Sequence, residues 1–155
     1  MVRLNAEINI DLKLAKFRSK LREVEIVVFH EDTLHSKANM SMSDLAEILH
    51  EGAIVGKGAV IPPRRYLSDA VSINRRYLQQ TLKPAVTLLV MEGINTFQTV
   101  ADTIVEVIKE HVRSGYYRDV VPNAPSTIRK KGSDIPLIDT EEFLESLTSE
   151  VRIHR

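Results

Sequence analysis

Three histidines pose the first chemical question. His30 and His35 stand close together with Glu31 and Asp32 between them, and His50 follows further on. Imidazole with carboxylate is a donor set that suits zinc or iron. The spacing matches none of the strong zinc patterns, and His30-Glu31-Asp32-Thr33-Leu34-His35 is not the helical zincin motif. The expectation is therefore solvated loop histidines and no metal. Gly52, Gly56 and Gly58 lack the Lys-Ser or Lys-Thr that completes a phosphate loop, so they read as turn residues. Ser126 and Ser133 carry no nucleophile-elbow sequence. The residues predict no catalytic group and no cofactor.

Basic residues are the next candidates. Arg65 and Arg76 lie close to three helical turns apart, and Asp69 stands one turn after Arg65, where it could pair with it. Arg129-Lys130-Lys131 could touch phosphates or an acidic partner. Lys plus Arg and Asp plus Glu are 21 each, which excludes a generally basic nucleic-acid binder and leaves DNA contact to a local patch. The segment 41–52 lacks the polar recognition helix that a helix-turn-helix needs next. Cysteine is absent, which removes a disulfide scaffold, a thiolate metal site and a Cys nucleophile together.

The elements that must position these groups follow from the pattern. The 155 residues, 43% of them hydrophobic, fit one domain with a real core. The longest nearly apolar stretch, 85–91, is far short of the roughly 20 residues of a membrane span. Residues 1–7 lack the order of a signal peptide, so synthesis in a cytoplasm is expected, with exit only inside a particle. A helix is predicted over 11–22 and a buried strand over Val24-Glu25-Ile26-Val27-Val28-Phe29. Ser41 with Asp44 resembles a capping box, opening a helix that carries Met42, Leu45, Ala46 and Leu49 and stops at Gly52. Residues 54–61 read as a strand or hairpin edge, which Pro62-Pro63 must end.

A long helix over 65–91 is predicted from Tyr66, Ala70, Ile73 and Tyr77, with a kink or break near Pro84. A second runs over 96–114 on the stripe Phe97, Val100, Ala101, Ile104, Ile108 and Val112, ended by Gly115. Residues 119–140 read as a long proline-containing loop, followed by a helical turn over 141–147 and a last strand. The fold class is α+β: a small, mostly antiparallel sheet packed against two long helices, with 119–140 as an extended arm.

Two stretches resemble the neck and tail-completion family of tailed bacteriophages, the group of minor tail protein Z type. In the first, Leu45-Ala46-Glu47-Ile48-Leu49-His50-Glu51-Gly52 is similar to the family's short helix ending in an aliphatic residue, a Glu and a Gly. Ile61-Pro62-Pro63-Arg64-Arg65-Tyr66-Leu67 follows at the family's distance and is similar to its Ile-Pro-x-Arg-Pro-Phe-Leu. The second stretch runs from Pro122-Asn123-Ala124-Pro125 through Lys131-Gly132-Ser133-Asp134 to Pro136-Leu137-Ile138-Asp139-Thr140. It resembles the family's loop Asn-x-x-x-Thr-x-x-x-Lys-Gly-Ser-Asp-x-Pro-Leu-Ile-Asp-Thr. Arg65 stands where the family usually has Pro, and Glu141 where it has Gly.

The resemblance implies a non-enzymatic virion structural protein: a homo-oligomeric ring in the neck between head and tail, through which DNA passes. Its implied partners are a portal-side connector or head-closure protein and a tail terminator or tail tube protein, with non-specific proximity to genomic DNA and no membrane. The candidate interface comprises Pro122, Pro125, Arg129, Lys130, Lys131, Pro136, Leu137, Ile138 and Asp139, with Leu137 and Ile138 as apolar anchors. The competing class is a cytoplasmic phage-encoded binding or regulatory module that associates with DNA.

Overall fold

The computed structural model describes residues 23–154 except Lys57, Asp139 and Thr140; the predicted helix over 11–22 lies outside them. The β-branched run forms β1 (Glu23–His30), which pairs antiparallel with β4 (Leu147–His154) in the register Glu23↔His154 to His30↔Leu147. A two-stranded sheet is marginal alone and needs a packed face. That face is supplied by α4 (Phe97–Arg113), whose stripe of Phe97, Val100, Ala101, Ile104, Ile108 and Val112 is buried as the spacing predicts.

Ser41 caps α1 (Met42–Glu51) by accepting the Asp44 N–H at 3.1 Å. Next come β2 (Ala53–Val55) and β3 (Ala59–Ile61), paired as an antiparallel hairpin. The remaining elements are α2 (Tyr66–Ile73), α3 (Arg75–Glu92), α5 (Tyr116–Val120), α6 (Pro125–Lys131) and α7 (Glu142–Glu145). The architecture is a small α+β fold. Helices α2 and α3 pack against α4, and α1 packs against β1.

Two expectations are corrected. The long helix breaks at Asn74, not near Pro84, and α3 continues through Pro84. The Asn74 side chain donates to the Ala70 carbonyl at 2.9 Å beside its own backbone N–H at 3.1 Å, a local bond that competes with the helical ladder. The buried face then passes from Tyr66, Leu67 and Ala70 to Leu78, Leu82 and Ala85, so Ile73 and Tyr77 are 57% and 53% exposed rather than core. The second correction concerns 119–140, which is not one extended arm. It contains α6, started by a proline in its first turn and stopped by Gly132 at φ +75°, with Arg129, Lys130 and Lys131 in the last turn where cations favour the helix dipole.

Candidate assembly surface

The stretches 61–67 and 121–123 meet through the Arg64 side chain. Gly52 and Pro62-Pro63 turn the chain so that the Arg64 N–H donates to the Leu49 carbonyl at 2.9 Å. The Arg64 guanidinium, 5% exposed, then donates from Nε to the Val121 carbonyl at 2.9 Å. Its Nη2 donates to the Pro122 carbonyl at 3.1 Å and to Asn123 Oδ1 at 3.3 Å. Burial pulls its pKa below the ordinary arginine value, yet a guanidinium keeps its proton, and these fixed carbonyl oxygens suit its planar fork. Asn123 in turn donates from Nδ2 to the Asp134 carbonyl at 3.4 Å, so the start of α6 is tied to the turn after it.

The predicted interface residues that the structure describes divide into three sets. Pro122, Pro125, Arg129 and Lys130 are exposed, and no residue of α6 is buried. Lys131 is half-buried and donates from Nζ to the Ile135 carbonyl at 2.7 Å, so it holds its own helix end. Pro136 and Leu137 are buried and Ile138 is packed on the same core, which corrects their reading as free anchors. Leu137 is held at φ +66°, a left-handed conformation that a branched residue keeps only when its surroundings determine it. Asp139 lies outside the described residues.

His30, His35 and His50 are interior, not solvated. Ser146 Oγ donates to the Phe143 carbonyl at 2.9 Å, which uses its only proton. The 2.8 Å contact to His30 Nδ1 must therefore be donated by the ring, leaving Nε2 to accept the Tyr66 hydroxyl at 2.8 Å. The neutral ring completes this chain and stacks on Phe143 with centroids 4.4 Å apart. Burial pulls the His30 pKa down to about 4, opposed by the Phe143 carbonyl. His35 Nδ1 accepts the backbone N–H groups of Lys37 and Ala38, both at 3.1 Å, which closes the turn before α1.

His50 packs edge-on to Tyr66, and its buried Nδ1 has no hydrogen-bond partner among the described residues. His111 Nε2 is likewise unpartnered, beside Tyr116 and Tyr117. Burial lowers the pKa of both rings. Asp69, expected to pair with Arg65, instead accepts the Tyr117 hydroxyl at 2.7 Å. Burial first, then that carboxylate, raises the Tyr117 pKa.

Among the described residues no three His, Asp or Glu side chains gather as a metal set, and no helix is long and apolar enough to cross a membrane. Sequence reasoning missed the Arg64 junction and the Tyr117–Asp69 bond. A di-proline followed by Arg hints at the first; nothing local signals the second. No family model, curated protein or solved structure matches the chain.

Proposed function

We propose that this chain is a non-enzymatic structural subunit of a tailed-phage virion. It forms a homo-oligomeric ring in the neck that joins the portal-side connector or head-closure protein to the tail terminator or tail tube, with DNA passing through. The observation that carries the reading is the Arg64 junction, which links the Ile-Pro-Pro-Arg-Arg-Tyr-Leu stretch to the Pro-Asn-Ala-Pro stretch. The two stretches that resemble the family are one construction, and it holds α6 outward with Arg129 and Lys130 free to meet an acidic surface or phosphates.

The test is assembly in infected cells. Phage lacking this chain should accumulate filled heads and separate tails, and supplying the chain should restore joining. Normal virions without it would overturn the reading. Purified chain should sediment as closed multi-copy rings, alone or with its connector.

A further inference from the structure

Two helices, each near exposed apolar side chains, carry opposite charge among the described residues: α3 holds only cations before Glu92, and α1 holds carboxylates with neither Lys nor Arg. On α3, the exposed Tyr77, Pro84 and Met91 and the half-buried Leu88 recur at helical spacing along the side turned away from Leu78, Leu82 and Ala85. Met91 is 71% exposed. Arg76 and Lys83 line one side of this ridge, and the helix has no acidic residue before Glu92.

The second face is built on α1, which holds Asp44, Glu47 and Glu51 on its exposed side and contains neither Lys nor Arg. Ser43 Oγ donates to Asp32 at 2.7 Å, bringing a further carboxylate to the start of that helix. The hairpin that follows presents Ile54 and Val60, cross-strand partners that are 78% and 69% exposed. As cross-strand partners they lie side by side on one face of the hairpin, where a docked neighbour could cover both.

We infer that copies of this chain associate head-to-tail, the α3 face of one seating on the α1–hairpin face of the next. The inference rests on the ring reading and names the surfaces that would build it. Charge complementarity selects the occupant. Arg76 and Lys83 are seven residues apart, as are Asp44 and Glu51, so each pair spans on the order of 10 Å along one helix face. Lys83 sits at the middle of α3, so antiparallel self-pairing of that helix would set Lys83 against its own copy. Self-pairing of α1 would set carboxylates together. Like-with-like docking is thus disfavoured on both faces, while unlike faces attract. A contact between two different faces closes into a ring or runs on as a filament. Residues 1–22 hold six cations against two carboxylates, so they do not suit the cationic α3 face.

The absence of cysteine gives a clean test. Full-length Gln80→Cys and Glu47→Cys proteins, each bearing one thiol at the centre of one face, are mixed and oxidised. The mixed disulfide dimer should dominate over both self-dimers. Gln80→Cys self-dimers as the main product would overturn the inference, as would the absence of any cross-link, including the case in which residues 1–22 of the same copy cover α1. Reversing Arg76 and Lys83 to Glu should weaken association of the wild-type contact about tenfold or more, and adding Glu47→Lys and Glu51→Lys should restore it; no effect of the first change counts against the contact. The mass of the wild-type assembly is read separately. Mixed cross-links without closed rings would retain the contact and sink the ring, whereas rings without mixed cross-links would retain the ring and sink the contact.

Discussion

At the scale of single residues, burial decides what each polar group does. His30 is neutral because Tyr66 and Ser146 use both ring nitrogens in a dry site, and its pKa of about 4 lies below the ordinary 6.5 of an unfolded chain. Its contribution to stability is therefore complete above about pH 6.5. It is lost as the pH falls toward 4, because the unfolded chain takes up a proton that the folded chain refuses. That gap corresponds to about 3 kcal/mol. His30 should make denaturant titrations at pH 7 and pH 4 differ by about this amount, and its ring resonances should titrate near 4; titration near 6.5 would show a wet ring. His50 and His111 act in the same direction, burial again being the cause.

Gly52 is a second residue-scale case. It sits at φ +78°, ψ 166°, where a Cβ would lie 2.7 Å from the Ile61 carbonyl oxygen. Gly93 has a similar φ of +73° but faces open space. Gly52→Ala should cost about 1–3 kcal/mol from its glycine-only conformation, plus whatever the clash adds. Gly93→Ala should cost less, about 1–2 kcal/mol. Equal melting temperatures for the two variants would contradict the close approach.

At the scale of elements, α4 is the central support, lying on the β1–β4 sheet and receiving α2 and α3. Ile104→Ala should cost about 2–5 kcal/mol, since Ile104 is buried between these layers. Tyr77→Ala should fall within about 0.5 kcal/mol of wild type, because α3 turns that side chain outward. Chemical denaturation of both variants checks the helix register. Element α6 belongs to the other kind: nothing in it is buried, and Arg64 at one end and Leu137 at the other hold the chain that carries it. Replacing 124–134 with a Gly/Ser linker should leave the melting temperature nearly unchanged while head–tail joining fails. Normal joining would reduce α6 to a surface excursion.

At the scale of the whole molecule, a zero net charge conceals segregation: α1 carries carboxylates with neither Lys nor Arg, and α3 carries only cations up to Glu92. Association through such faces is screened by salt, with a Debye length of about 3 Å at 1 M. Sedimentation of the intact chain should show smaller species at 1 M salt than at 0.1 M. An assembly that grows with salt would point to an interface held by apolar contact alone.

The sequence alone determined the strand at 24–29, the capped helix ending at Gly52, the stripe of α4 and the α+β class, because each rests on a period or a cap written in adjacent residues. It also held the stretches 61–67 and 122–125, though not that Arg64 joins them. Only the tertiary structure decided the break at Asn74, the helix inside 119–140 and the burial of Pro136 and Leu137. The same is true of the histidines, which look solvated in a polar stretch and are interior. For His30 the surroundings are Tyr66 of α2 and Phe143 of α7, distant in sequence, and burial is a property of what packs around a residue rather than of its neighbours along the chain.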